Sequence, residues 1–117
     1  MFTLIWTQEA DRQYRELKDR AEKACGARSS QEKGKSKSSK AEGLFKQVHK
    51  AVKLLRENPR HPGLQTHHYH SLPHPYKKGD KVFEAYAQND TSRAYRVFWC
   101  YGPKEAEITI IAITSHP

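Results

Sequence analysis

KVFEAYAQNDTSRAYRVFWCYGPKEAEITIIAITSH, residues 81–116, decides the architecture. It holds three runs of β-branched and aromatic residues: Val82 to Gln88, Arg93 to Tyr101, and Glu107 to Ile113. Asn89 to Ser92 separates the first two, and Gly102-Pro103 the second two. Runs of this length between such turn residues predict an antiparallel meander. The last run is apolar enough for a central strand. Arg96 lies inside the middle run and His116 follows the last. With the runs side by side in one sheet, an arginine and a histidine, with a glutamate as a further candidate, could converge on a single surface.

Upstream, Phe2 to Trp6 is apolar and reads as a short strand. Thr7 is placed to cap a helix, with Glu9 in the first turn. Ala10, Tyr14, Leu17, Ala21 and Ala24 then recur at spacings of four and three, one helical face, with Gly26 as the expected stop. Residues 27–40, ARSSQEKGKSKSSK, carry no large apolar side chain and predict a flexible basic loop. Ser39 and Glu42 fit a capping box. Leu44, Phe45, Val48, Ala51, Val52 and Leu55 give the second helix a wide apolar stripe, and Asn58-Pro59 ends it. Residues 59–80 are irregular, with an edge strand expected within Gln65 to Leu72. The expectation is a single α+β domain over residues 1–117: an N-terminal strand, an α-helical hairpin, then a meander forming a small curved sheet. First and last strands would pair in parallel and close it.

The chain has 117 residues, 21 Lys+Arg against 13 Asp+Glu, and a formal net charge of +8. That excess favours a polyanionic partner. Two cysteines make no disulfide framework, which points to a reducing compartment. No run approaches the roughly 18 apolar residues of a membrane span. MFTLIW lacks the basic region and long apolar stretch of a signal peptide. Cytoplasm, with no membrane partner, is the expectation.

The order of these features resembles the RelE/ParE toxin superfamily of bacterial toxin–antitoxin systems. The residues that carry the resemblance are LIWTQEADRQY (4–14), ENPRHPGLQTHHY (57–69), YRVFW (95–99) and ITIIAITSH (108–116). The opening and the late histidine look most like the YoeB branch. The resemblance implies a ribosome-dependent mRNA endonuclease neutralised by an antitoxin, with mRNA on the ribosome as substrate. It implies that Arg96 binds the scissile phosphate, that His116 is the general acid, and that Glu84 is the candidate general base. The chain departs from that branch where Pro117 stands in place of a tyrosine, and in the inserted basic loop.

The chemistry suits these residue types. Cleavage of RNA by its own 2′-hydroxyl needs a base, a cation for the phosphorane charge and an acid for the leaving oxygen. Arginine's planar fork holds two phosphate oxygens at fixed charge. Histidine titrates near the working pH. Glu84 is placed less simply. In the tightest hairpin Gln88 stands opposite Arg93 and Ala85 opposite Arg96, so Glu84 points to the other side of the sheet. A one-residue bulge or slip restores convergence. Tyr86 or Tyr95 would otherwise serve as base, or stack on a nucleobase. Arg60, His68, His70, Lys77, Lys78, Lys81, Tyr86 and Arg93 are the candidate RNA contacts. His61, His67, His68, His70 and His74 invite a zinc reading. Residues 58–79 hold no cysteine pair and no carboxylate, so neither metal nor cofactor is expected. Two other readings remain open: a RelE/ParE-fold interaction module without catalysis, directed at a gyrase-type target or a degenerate toxin, and a basic nucleic-acid-binding protein.

Overall fold

The computed structural model describes residues 1–31, 40–88 and 93–115. The expected Ser39 cap, most of the basic loop, the Asn89–Ser92 turn and His116 lie outside the described residues. The order is β1 (Thr3–Trp6), α1 (Gln8–Gln31), α2 (Lys40–Glu57), a 3-10 turn (Pro62–Leu64), β2 (His67–Tyr69), β3 (Val82–Tyr86), β4 (Tyr95–Tyr101) and β5 (Glu107–Ser115). They form one five-stranded sheet in the order β1-β5-β4-β3-β2. β1 runs parallel to β5 and the other pairs are antiparallel, as the sequence leads one to expect. One boundary moves: Gly26 does not stop α1, which continues to Gln31.

The helices cover one face of the sheet. α1 packs on β5 and α2 on β4, and the two helices pack on each other. The periodicity explains this. Ala10, Leu17 and Ala21 of α1 and Val48, Ala51, Val52 and Leu55 of α2 are buried. They meet Ala85, Val97, Trp99, Ile108, Ile110 and Ile113 from the strands. Each fully buried valine or leucine contributes roughly 1.5–3 kcal/mol over an exposed one. The thin alanine face of α1 is thickened by rings: Trp6 lies 5.0 Å from Tyr14, and Tyr14 5.3 Å from Phe45.

Thr7 couples this layer to the sheet. Its Oγ1 accepts from the N–H of Ala10 at 3.0 Å and donates to the carbonyl of Ile111 at 2.7 Å. Ile111 is the extra residue where the β4–β5 register shifts beside Phe98 and Trp99. The hydroxyl thus caps α1 and satisfies the bulge. Thr7→Ala should cost about 1–2 kcal/mol, the upper range for a lost cap. Chemical denaturation should show a lower midpoint at unchanged slope.

The other face of the sheet is covered only in part. Tyr69 packs on Phe98 with ring centres 4.7 Å apart. Residues 70–81 reach across to β5, where the Tyr76 hydroxyl lies 3.0 Å from Thr109 Oγ1. Cys100 pairs with Thr109 at this covered end and is fully buried. Burial, and secondarily Asp80, pushes its thiol up to about 11. Cys25 is exposed on α1. Since the thiolate is the nucleophile, iodoacetamide at pH 8 should label Cys25 on the native protein, and Cys100 only after denaturation. Mass spectrometry of the digested adducts checks this.

Candidate active site

The site lies on the face of the sheet opposite the helices, and a bulge builds it. The N–H groups of Ala87 and Gln88 both donate to the carbonyl of Tyr95, each at 3.2 Å. Two consecutive residues opposing one is the signature of a β-bulge. It shifts the hairpin by one residue from the tightest register. Tyr86, not Ala85, therefore stands opposite Arg96, and Glu84 stands opposite Phe98. Residues directly paired share a face, so Glu84, Tyr86 and Arg96 come together. The expectation that Ala85 faces Arg96 is corrected, and the one-residue slip that restores convergence is the arrangement found. Across β5, Thr114 stands opposite Arg96. Across β2, His67 stands opposite Glu84.

Arg96 is held on three sides. Its guanidinium carbon lies 3.8 Å from the centre of the Tyr86 ring, a cation–π contact. Nη1 donates to the bulge carbonyl of Gln88 at 2.8 Å and to that of Tyr95 at 3.3 Å. Nε lies 3.8 Å from Glu84 Oε2, an ion pair beyond hydrogen-bond reach. The Arg96 side chain is 9% exposed and that of Glu84 1%. Glu84 Oε1 lies 2.6 Å from His67 Nε2, and the His67 side chain is 47% exposed. The His67 ring stands edge-on to Tyr86, with centres 5.6 Å apart. His67 Nδ1 lies 3.1 Å from the carbonyl oxygen of Gln65.

The remaining histidines divide by role. His61 Nδ1 accepts from the N–H of Gly63 at 2.9 Å and caps the 3-10 turn. His74 Nδ1 accepts from the N–H groups of Tyr76 and Lys77 at 3.1 and 3.0 Å and shapes the 70–81 segment. His68 and His70 pack edge to face, ring centres 4.6 Å apart. Desolvation, then His70 and Lys81, lowers the His68 pKa. Among the described residues no three His, Cys, Asp or Glu side chains are grouped to hold a metal ion.

The candidate RNA contacts do not form one surface. Tyr86 is part of the site. His68 stands opposite Phe83, which stacks on Trp99, and so belongs to the helix-covered side. Arg60 lines a cavity of about 370 Å³ with Phe83, Trp99 and Tyr101 on that same side. His70 and Lys81 share another recess with His68, His74 and Asp80. Lys77, Lys78 and Arg93 are exposed. Sequence reasoning missed His67 as a site residue. Its signal was its place two residues before Tyr69 on an edge strand, which aligns it with Glu84 once the register is known.

Among solved structures, a YoeB/ParE toxin from Agrobacterium tumefaciens superposes with a TM-score of 0.58 at 11% sequence identity, covering 98% of this chain and 99% of that one. The chain has the YoeB/ParE toxin fold. A metal-bound toxin from Helicobacter pylori also shares it, with a TM-score of 0.57, 16% identity, and 99% and 96% of the two chains covered. No family model and no curated protein matches the sequence. In this YoeB/ParE fold the helical layer and the meander are all accounted for, and Arg96 occupies the middle of the sheet on its open face. Among the described residues no helix is long and apolar enough to cross a membrane.

Proposed function

We propose that this protein is the toxin of a toxin–antitoxin pair and cleaves mRNA on the ribosome, with a cognate antitoxin as its protein partner. The observation that carries the reading is Arg96: a guanidinium fixed on the helix-free face of a YoeB/ParE-fold sheet, beside Glu84, Tyr86 and Thr114, in a chain of net charge +8. In the proposed reaction the 2′-oxygen attacks phosphorus and loses its proton to a base. The bond from phosphorus to the 5′-oxygen breaks, and that oxygen takes a proton from an acid. A 2′,3′-cyclic phosphate and a free 5′-hydroxyl result. Arg96 neutralises charge on the phosphorane, the effect expected of a preorganised donor in a dry site. Glu84 fixes Arg96 and His67 from beneath, since at 1% exposure it is shielded from a substrate. His116 is the candidate acid. Thr114, two residues before it in sequence, faces Arg96. The exposed Lys77, Lys78 and Arg93 supply salt-sensitive attraction to the RNA.

A second reading, a binding module without catalysis, draws on one observation. Arg96 already spends Nη1 on two carbonyl oxygens and is nearly buried. The test that separates the two is cell-free translation with the purified protein added, and mRNA 5′ ends mapped by primer extension. The nuclease reading expects cuts at codon positions that require ribosomes. Intact mRNA with normal translation would favour a gyrase-type target, and salt-dependent RNA binding without cuts a nucleic-acid-binding protein.

A further inference from the structure

We propose that Gln88 is the positioning residue for Arg96, its side chain locking the carbonyl that aims the guanidinium; the assignment rests on the nuclease reading above. Three groups of Gln88 meet the segment that carries Arg96. Its N–H donates to the Tyr95 carbonyl at 3.2 Å. Its own carbonyl accepts from Arg96 Nη1 at 2.8 Å. Its side-chain Oε1 accepts from the Tyr95 N–H at 3.0 Å. A backbone N–H only donates, so the amide oxygen is the atom that faces Tyr95. The amide nitrogen is thereby turned outward, where it donates to Gln47 Oε1 of α2 at 2.9 Å.

The two carbonyls hold Arg96 unequally. The Tyr95 carbonyl is approached by three donors: the N–H groups of Ala87 and Gln88 at 3.2 Å each, and Nη1 at 3.3 Å. A carbonyl oxygen has two lone pairs, so these contacts are shared and long. The Gln88 carbonyl, at 2.8 Å, is the shorter hold. Its direction depends on the backbone of Gln88, and β3 itself ends at Tyr86. The side chain supplies a second tie there, standing in for the ladder acceptor that the bulge takes from the Tyr95 N–H. Both hydrogens of Nη1 are thus taken by carbonyls, and Nε lies beside Glu84. Among the described residues Nη2 has no hydrogen-bond partner, which leaves it to meet a phosphate oxygen. A guanidinium is planar, so fixing Nη1 fixes the direction of Nη2. A displacement of about 1 Å at such a group costs up to about 10²-fold in rate.

The test is single-turnover cleavage on programmed ribosomes, across a range of ribosome concentrations. Gln88→Met is assayed in the wild-type and Arg96→Ala backgrounds, with Gln88→Glu beside it. Methionine keeps the length of the side chain and removes both of its hydrogen bonds. Gln88→Met should lower the saturated rate at least about threefold and up to about 10²-fold, as for a misplaced group. Its half-saturating ribosome concentration should stay unchanged. In the Arg96→Ala background it should change nothing, because a residue that acts through another loses its effect once the other is gone. Gln88→Glu keeps an acceptor for the Tyr95 N–H and should recover most of the rate. Circular dichroism melts establish that each variant is folded when assayed. Gln88→Met as fast as wild type, or equally slowing in both backgrounds, would overturn the assignment and leave the Arg96 reading standing. So would a loss seen only as weaker ribosome binding, or a Gln88→Glu variant as slow as Gln88→Met. No cleavage by the wild type would overturn the nuclease reading, and the assignment with it.

Discussion

On the proposed nuclease reading, Arg96→Ala is expected to lower ribosome-dependent mRNA cleavage by about 10³-fold, the upper range for removal of a donor that stabilises developing negative charge. The size follows from how the guanidinium is fixed. Tyr86 lies against its face, the Gln88 carbonyl holds Nη1, and Glu84 lies beside Nε. A group held this way needs no reorganisation as charge develops. Arg96→Lys keeps the charge beside Glu84 and should fold at least as well as alanine. A lysine is one nitrogen on a flexible stem, however, and cannot reach the Gln88 carbonyl while presenting a second donor outward. It should remain at least about 10²-fold slower, within the same range of donor loss. Circular dichroism melts of both variants establish that the folded state is being assayed. A folded alanine variant that cleaves at the wild-type rate would remove Arg96 from the mechanism.

Trp99→Ala is expected to cost about 3–5 kcal/mol, the range for losing a large aromatic side chain from a core. Against total stabilities of roughly 5–15 kcal/mol, such a loss leaves a marginal protein. Trp99 is 1% exposed, stacks on Phe83 with centres 4.8 Å apart, and meets Tyr101 edge-on at 4.9 Å. It stands opposite Ile110 beside the β5 bulge, so the cavity would open where the ladder is already irregular. The indole also has a cost of its own. Its Nε1 is buried with no hydrogen-bond partner among the described residues. Trp99→Phe keeps the stack and removes that donor, so it should cost far less than alanine. Urea unfolding of the three proteins decides the order. An alanine variant as stable as wild type would mean that the aromatic stack is not a keystone of this core.

The meander and the helical stripes were legible because burial imposes a period on side chains. Val82, Ala85, Val97 and Trp99 had to be apolar, and Val48, Ala51, Val52 and Leu55 had to recur at helical spacing. The register of β3 on β4 was not legible. The bulge at Ala87 and Gln88 is made by two N–H groups sharing one carbonyl, and no side-chain pattern announces it. Arg96 was placed correctly on a central strand, but its partners depended on that single residue of slip. His67 was hidden for the same reason, since only the register sets it opposite Glu84. The placement of the basic residues was hidden in another way. Charge along a sequence carries no record of which side of a sheet it will occupy, and Arg60 and His68 lie behind the sheet from Arg96.

The parallel pairing of β1 with β5 also sets a schedule for synthesis. Thr3 pairs with Glu107 and Trp6 with Ile110, so the first strand waits for more than a hundred residues before its neighbour exists. Such distant partners slow folding, because the loop must close before any contact rewards it. Arg96 borrows its flank from the same late strand, through Thr114. Until β5 has been made and is free to fold, β1 has no neighbouring strand and Arg96 lacks its flank on that side, so sheet and candidate site are completed together and late.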